Sequence, residues 1–208
     1  MAIVWPCLLG VDAYAAAGRG VKVPRPDCPG CGRPMGFWPG YLRWVRYGRT
    51  RRIWVRRATC RGCRVSHALL PAFLLARRLD AVEAIGAGLA RAVRRRGMRP
   101  IAAWLGVPHS TARDWRRRFR ARAPTLAAGL AALAVEVAGS VPALPADPEA
   151  AALAALAVVW AGVSARLGVA TPGVWPLAAL VSGGGWLQTT TAPPWAGLGG
   201  RRFLPPMP

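Results

Sequence analysis

The chain has 208 residues, and 29 basic residues against 8 acidic ones give it a formal net charge of +21. Hydrophobic residues make up 53% of the chain, which excludes a globally disordered protein. The charge is unevenly placed, because 26 of the 29 basic residues lie within residues 19–122. Such a concentrated positive charge predicts a polyanionic partner for that part of the chain.

Residues 1–23 are an apolar lead-in for which the sequence pattern predicts no definite structure. This segment lacks the positively charged start of a secretory signal. The longest apolar run, residues 150–164, is shorter than the roughly 20 residues that a membrane-spanning helix needs. We therefore expect a cytoplasmic, nucleoid-associated protein with no membrane partner.

Four of the five cysteines form two C-x-x-C pairs. A C-x-x-C turn brings two sulfurs to one side of a tight loop, and two such turns can close a tetrahedral Cys₄ shell. All four positions would then be thiolate, so the spacing predicts one structural zinc ion and no catalytic metal. The predicted ligands are Cys28, Cys31, Cys60 and Cys63.

Other chemistries for these cysteines are a redox dithiol or two disulfides. A redox dithiol needs only one C-x-x-C pair, and disulfides are typical of secreted chains. His67 could compete as a ligand, although a polar residue at the end of the ribbon is the simpler interpretation. Cys7 is expected to be a buried or idle thiol.

Between the two pairs the sequence alternates aromatic or branched residues with arginine. This pattern predicts two strands, over 41–47 and 52–57, joined by a turn at 48–50. A hairpin flanked by two cysteine knuckles is the build of a zinc ribbon, which we assign to residues 24–77.

Residues 78–123 carry the pattern of a helix-turn-helix domain with three helices. The first is predicted over 80–96, with Asp80 as its cap and Gly97 ending it. The second is short and ends at Gly106, which suits a left-handed turn. The third begins near His109 or Ser110 and has a buried stripe made by Ala112, Trp115 and Phe119.

By the docking geometry of such motifs, residues at the start of the third helix and one turn further on reach base edges in duplex DNA. The predicted base contacts are His109, Ser110, Arg113 and Arg117. Four further arginines are better placed for phosphates: Arg99, Arg116, Arg118 and Arg120. Asp114 could read a cytosine, but pairing with an arginine is the favoured interpretation.

Residues 124–180 are rich in alanine and predict two helices, near 125–138 and 148–168. Asp147 followed by Pro148 is a sound start for the second helix. Residues 125–168 could form a homodimer interface, or these helices could pack on the helix-turn-helix domain. From residue 181 to 208 the sequence has many Gly and Pro and no periodicity, so we expect a flexible tail.

Four motifs of this sequence resemble those of known proteins. They are CPGCG, CRGC-x-x-x-H, LLP at 69–71, and the stretch from IAAWLGV to RRRF. Over residues 28–122 they resemble the N-terminal DNA-recognition halves of insertion-sequence transposases. They are especially similar to small actinobacterial proteins of unknown function with a zinc ribbon and a helix-turn-helix. The resemblance implies a DNA-recognition module. The spaced carboxylates of a transposase catalytic domain are missing, and we expect no enzyme.

Together these patterns predict an α+β protein: a small β zinc ribbon, a three-helix domain, an alanine-rich helical region and a tail. The expected function is DNA binding, as a transcriptional regulator or as a transposase-like recognition module without a catalytic domain. The alternative is a structural factor, a zinc ribbon protein bound to RNA or to the ribosome.

Overall fold

The computed structural model describes residues 2–140, 142–168 and 173–188. Over those residues the chain forms a four-stranded sheet and six α-helices, which confirms the α+β class. The elements in chain order are β1 Ala2–Trp5, α1 Val11–Ala17, β2 Gly36–Tyr47, β3 Arg49–Cys60, β4 Val65–Pro71, α2 Val82–Val93, α3 Met98–Leu105, α4 His109–Ala138, α5 Pro148–Leu167 and α6 Val174–Val181.

The arginine-rich strands β2 and β3 pair as an antiparallel hairpin. Gly48 joins them with a φ of 68°, a left-handed conformation that glycine adopts without strain. The turn therefore lies where the sequence predicts it, and both strands are longer than predicted. A register shift between Trp38 and Tyr41 marks a bulge in β2.

The lead-in is part of the sheet, whose strand order is β1-β4-β3-β2. β1 runs parallel to β4, with Ala2 opposite Ala68 and Trp5 opposite Pro71. In α1, the buried Tyr14 packs edge-on against Phe73, with the ring centroids 5.2 Å apart. The pattern of residues 1–23 could not predict this, because a parallel strand is defined by a partner distant in sequence.

Asp80 does not cap the first predicted helix. The N-cap of α2 is Ala81, and no side chain makes a capping hydrogen bond there. The carboxylate of Asp80 instead accepts from the Nε of Arg46 in β2 at 2.6 Å. This prediction was wrong because the nearby arginine of the sheet competes for the carboxylate. The helix also ends at Val93, and Gly97 is the N-cap of α3 rather than the end of α2.

Replacing Asp80 by asparagine tests how much this ion pair holds α2 to the sheet. The Asp80 side chain is almost fully buried, and Arg46 is only one-fifth exposed, so the variant leaves a poorly solvated charge without its partner. We expect the free energy of unfolding to fall by about 2–3 kcal/mol in urea titrations. Asp12→Asn is the control, because the Asp12 carboxylate is 64% exposed, and we expect its pairs with Arg49 and Arg51 to contribute below about 1 kcal/mol. Equal losses in the two variants would contradict the assignment.

The helix that starts at His109 does not stop before Pro124. α4 is a single helix of 30 residues, His109–Ala138, with Pro124 inside it. Proline removes one hydrogen bond from the helix, which led us to predict a boundary at this position. The helix continues because Ala123, Leu126 and Leu130 are all buried on its inner face. Tertiary packing thus outweighs the local cost of the proline.

α5 begins as predicted, and it packs along α4. Asp147 is the N-cap, and its carboxylate accepts from the backbone N–H of Ala150 at 2.8 Å. The approach to α4 is close: a Cβ on Gly162 would lie 2.9 Å from the carbonyl oxygen of Val137. Small residues therefore permit the two backbones to pack tightly.

By length and composition alone, α4 and α5 are both long and apolar enough to cross a membrane, which differs from the prediction that no helix of this chain spans one. Helices of this kind also occur in the cores of soluble proteins, so the finding is weak evidence for a membrane location. Less than half of each apolar stretch is buried in this chain. Apolar side chains of the pair, such as Val135 and Trp160, are therefore partly exposed.

The predicted tail from residue 181 is packed where it is described. Ser182, Trp186 and Leu187 are buried. The ring of Trp186 stacks on Phe119 of α4 with the centroids 6.0 Å apart. The prediction of a flexible segment is therefore wrong for residues 182–188, because an apolar ring within the Gly-rich run finds a place in the core. Residues 189–208 lie outside the described residues.

Candidate metal centre and basic helix

The two cysteine knuckles are tight turns at the same end of the sheet. In the first, the N–H of Cys28 donates to the carbonyl of Arg33 at 2.8 Å, and the N–H of Gly32 donates to the carbonyl of Cys28 at 2.8 Å. Gly32 has a φ of 72°, which the turn requires. The second knuckle joins β3 to β4, since β3 ends at Cys60. The sheet therefore positions half of the cluster directly.

The four predicted ligands come together. Their sulfur atoms all lie within 4.8 Å of one another. The Sγ atoms are 3.8 Å apart between Cys28 and Cys63, and 3.5 Å apart between Cys31 and Cys60. Cys28 and Cys60 are buried, and Cys31 and Cys63 lie at the surface. No disulfide joins any of them.

This geometry fits a tetrahedral metal ion. Four sulfurs at about 2.3 Å from a central ion lie about 3.8 Å from one another. The two measured sulfur–sulfur distances fall at or just below that value. Among the described residues, these cysteines are the one group of His, Cys, Asp or Glu with ligand-like spacing. They can hold a metal, and the donor set of four thiols suits a soft or borderline cation.

Hydrogen bonds set the protonation of the cluster. The backbone N–H of Cys63 donates to the Sγ of Cys60 at 3.4 Å and lowers the pKa of Cys60 to about 7. Hydrogen bonds with the thiols of Cys31 and Cys28 raise the pKa of Cys63 to about 12. A metal must therefore displace at least one proton, and its binding becomes tighter as pH rises.

The other two candidate groups lie outside this shell. Cys7 is buried near β1, and burial raises the pKa of its thiol. His67 is buried in β4 opposite Ala58, and burial lowers its pKa, so its ring is neutral at pH 7. Neither is a member of the metal-ligand group. This agrees with the prediction of a buried or idle thiol for Cys7 and of a non-ligating residue for His67.

α3 and α4 meet at Gly106, which ends α3 in the left-handed conformation with a φ of 65° and a ψ of 34°. The N–H of Val107 closes the turn by donating to the carbonyl of Ala102 at 3.0 Å. The predicted inner stripe of α4 is buried as expected: Ala112, Trp115 and Phe119 are each at most 2% exposed. The opposite face of this part of α4 is therefore left to solvent.

The predicted base-contacting residues lie along the first turns of α4. Ser110, Arg113 and Arg117 are exposed, and His109 is half-buried. Arg117 donates to Asp114 at 2.6 Å, whereas Arg113 has no hydrogen bond or ion pair within the described part of the chain. Arg113 is thus an exposed cation at the start of α4 that is not neutralised by an acid of the described residues.

The four predicted phosphate-contacting arginines fall into two groups. Arg99 and Arg120 are exposed and make no ion pair with any described residue. Arg116 pairs with the buried Glu149 of α5 at 3.5 Å, and Arg118 donates to Asp114 at 2.7 Å. The structure therefore gives Arg116 and Arg118 partners inside the protein.

Asp114 pairs with arginines, as favoured from the sequence. Its carboxylate accepts from Arg117, Arg118 and Arg78. Burial alone would raise the pKa of Asp114, but the hydrogen bonds from Arg117 and Arg118 outweigh it and lower the pKa. Other acids are also engaged, since Asp80 pairs with Arg46 and Glu149 with Arg116.

Sequence reasoning missed a group of exposed aromatic side chains on the hairpin. Phe37, Trp38 and Trp44 of β2 are all exposed, and several arginines lie over the rings of this hairpin. The alternation of aromatic residues with arginine predicted two strands but did not say which side chains are exposed. The aromatic content of this basic region was the signal that could have revealed the surface.

Residues 28–98 match the family model described as a domain of unknown function, DUF6431. The matched region begins at the first knuckle cysteine and ends at the first residue of α3, about a third of the chain. It includes the whole metal centre, the hairpin and α2, and it excludes α4. No curated protein matches the chain, and no solved structure does. The resemblance to transposases therefore stays a prediction.

Proposed function

We propose that this protein is a zinc-stabilised, sequence-reading DNA-binding protein. It acts as a transcriptional regulator or as the recognition module of a mobile element, without a catalytic domain. The observation that carries the proposal is the exposed, arginine-bearing face of α4, opposite a buried stripe that fixes its orientation. A helix held in this way can present side chains to the major groove.

In this proposal α3 and α4 are the two helices of a helix-turn-helix motif. The tight left-handed turn at Gly106 supports this assignment, because a short turn of this kind joins the two helices of such a motif at a steep angle. Close packing of α2 also supports it, since a Cβ on Gly88 would lie 3.0 Å from Leu105 and 3.7 Å from Trp115. α2 is then the supporting helix.

The contacts with DNA follow from exposure and charge. Arg113 and Arg117 read guanine from the major groove, with Ser110 and His109 at the start of the helix. Arg99 and Arg120 contact phosphates. Arg116 contributes chiefly by holding α4 to α5, because its partner Glu149 lies on α5. Arg118 is less available than Arg117, because both pair with Asp114 within α4 but the side chain of Arg118 is 31% exposed against 75% for Arg117.

The metal in this proposal is one zinc ion with a structural role. Four thiolates fill its coordination shell, so no position is open for water or substrate. The ion would tie the start of β2, the end of β3 and the first knuckle into one unit. That unit is the zinc ribbon, and it carries much of the positive charge.

Selection of bound duplexes from a random DNA pool tests the function. We expect enrichment of a defined motif, and an affinity for it that falls steeply as salt rises. A structured RNA of equal length is the comparison, because an arginine-rich surface could also bind RNA or the ribosome. Equal affinity for RNA and for every DNA sequence would contradict sequence reading and favour the RNA-bound factor.

We also propose that residues 125–168 mediate homodimerisation through the exposed apolar surface of α4 and α5. A truncation at residue 123 would cut α4 in two, so a point substitution in the full chain is the better test. Val135→Arg, at an exposed apolar position, is expected to convert dimers into monomers in sedimentation experiments. Leu79→Arg, exposed elsewhere on the molecule, is the control. A wild-type monomer at micromolar concentration would refute this proposal.

A cytoplasmic, nucleoid-associated location completes the proposal and needs its own test, given the apolar character of α4 and α5. Cell fractionation followed by alkaline extraction distinguishes a cytoplasmic, nucleoid-associated protein from one embedded in a membrane. Recovery with the soluble and DNA-bound fractions supports the proposal, and retention in the extracted membranes contradicts it.

A further inference from the structure

One face of the β2–β3 hairpin brings aromatic side chains and arginines together. The register sets Leu42 opposite Trp54 and Trp44 opposite Arg52. Residues directly opposite each other, or two apart on one strand, project on the same side of a sheet. We call this surface the hairpin face, and it consists of Phe37, Leu42, Trp44, Arg52, Trp54 and Arg56.

The hairpin face is exposed to an unusual degree for its composition. Trp44 is 54% exposed, and Leu42 and Phe37 are exposed as well. Trp38 and Trp104 are about as exposed, whereas Trp115 and Trp186 are fully buried, so what distinguishes the hairpin face is that its exposed apolar side chains lie side by side. A contiguous group of exposed apolar side chains usually marks a place where another molecule binds.

Arginines lie over each of the three rings. The guanidinium carbon is 4.3 Å from the ring centroid for Arg19 over Trp54, and 5.3 Å for Arg52 over Trp44. Phe37 has two such neighbours, Arg56 at 5.0 Å and Arg25 at 5.7 Å. None of these four arginines pairs with a carboxylate of the described chain, so their charge is available to an anionic ligand.

We propose that the hairpin face binds single-stranded DNA. Unpaired bases stack on the rings and on the planar guanidinium groups, while the arginines attract the phosphates, a combination that tolerates any base sequence. An acidic protein segment would satisfy the arginines and leave the rings exposed. The six side chains offer a ribose 2′-hydroxyl no hydrogen-bond acceptor and only the N–H donors of the arginines and tryptophans, so a 2′-hydroxyl gains little on this face, and the comparison with RNA below tests that choice.

The test uses the full chain in its metal-bound form and a labelled dT 12-mer, within the usual site size for one domain. Fluorescence anisotropy compares it with a 12-mer in which the central positions are abasic, so that charge is equal and bases are missing. We expect the abasic strand to bind about 10-fold or more weakly. Equal affinity for both strands would overturn the proposal, because attraction between the arginines and the phosphates would then account for all of the binding. Tighter binding of an rU 12-mer would overturn it too, in favour of RNA.

Substitutions on the two sides of the hairpin locate the site. Trp44→Leu is expected to weaken dT 12-mer binding by about 5- to 100-fold, and Trp44→Phe to restore most of it. Trp38→Leu is a matched control, because Trp38 is equally exposed on the same strand but lies opposite Arg57, on the other side of the sheet. Metal content and circular dichroism verify folding. Equal loss in Trp38→Leu and Trp44→Leu would overturn the placement.

The hairpin face and the proposed duplex site on α4 consist of different residues, so substitutions can test them separately. Arg113→Ala should weaken duplex binding and leave the dT 12-mer unaffected, whereas Trp44→Leu should do the reverse. A protein that binds the dT strand but selects no duplex sequence would refute the proposed function alone. A protein that selects a duplex motif but does not distinguish the abasic strand would refute the hairpin face alone.

Discussion

Replacing Cys31 by serine is expected to abolish metal binding and to unfold the sheet end of the protein. Cys31 lies at the surface, so the substitution removes a ligand while costing little buried packing. Structural zinc sites contribute about 10–16 kcal/mol of apparent binding free energy in small domains, comparable to or larger than a typical unfolding free energy of about 5–15 kcal/mol. Mass spectrometry of the native protein should give one zinc per wild-type chain and none per variant. The thermal transition of the sheet should disappear.

Cys60→Ser should give the same result from inside the cluster, because Cys60 ends β3. Cys7→Ser is the control, since this buried cysteine lies outside the metal-ligand group. It should retain zinc and lose only about 1–2 kcal/mol of stability from imperfect packing. A Cys31→Ser protein that keeps a full equivalent of metal and its thermal midpoint would refute the metal site. Iron in place of zinc would refute only the identity of the ion.

Replacing Arg113 by alanine is expected to weaken binding to the selected duplex by about 1–3 kcal/mol and to relax base preference at one position. The expectation follows from its exposure at the start of α4 and from the absence of an acidic partner among the described residues. Affinity for unrelated duplexes should change little. Titration of matched and mismatched duplexes at fixed salt measures both effects.

Arg116→Ala tests whether Arg116 stabilises the fold or takes part in the recognition of bases. Arg116 pairs with Glu149, a carboxylate whose side chain is 8% exposed, so its loss leaves a buried charge with less compensation. We expect a lower unfolding free energy, by about 1–3 kcal/mol, with unchanged base preference. If Arg116→Ala altered base preference while Arg113→Ala did not, the proposed orientation of α4 on DNA would be wrong.

Local chemistry determined the parts of the molecule that the sequence predicted well. The ligand set followed from C-x-x-C spacing, because each tight turn places two sulfurs on one side of a loop, and the fold then brings the two pairs within 4.8 Å of one another. The turn at Gly48, the left-handed end of α3 at Gly106 and the cap at Asp147 are likewise set by one or two residues. The buried stripe of α4 followed from its periodicity, since Ala112, Trp115 and Phe119 share one side of a helix.

Long-range contacts decided the rest. Nothing near β1 in sequence reveals that it pairs with β4, and only folding brings Asp80 to Arg46 rather than to a helix cap. Pro124 predicts the end of a helix from the sequence alone, whereas the burial of Leu126 and Leu130 explains why α4 continues past it. The Gly-rich composition after residue 181 likewise predicts no packing, and only the structure shows that Trp186 stacks on Phe119.

The sequence by itself thus determined the metal ligands, the ends of several elements and the basic character of the chain, because each is set by residue type or by spacing within a short motif. The tertiary structure alone decided which arginines remain available to a partner. Arg46 is held by Asp80 and Arg116 by Glu149 of α5, whereas Arg113 and Arg120 are exposed, and the rings of the hairpin face lie outside the core. Charge is a property of composition, but its availability depends on which groups folding brings into contact.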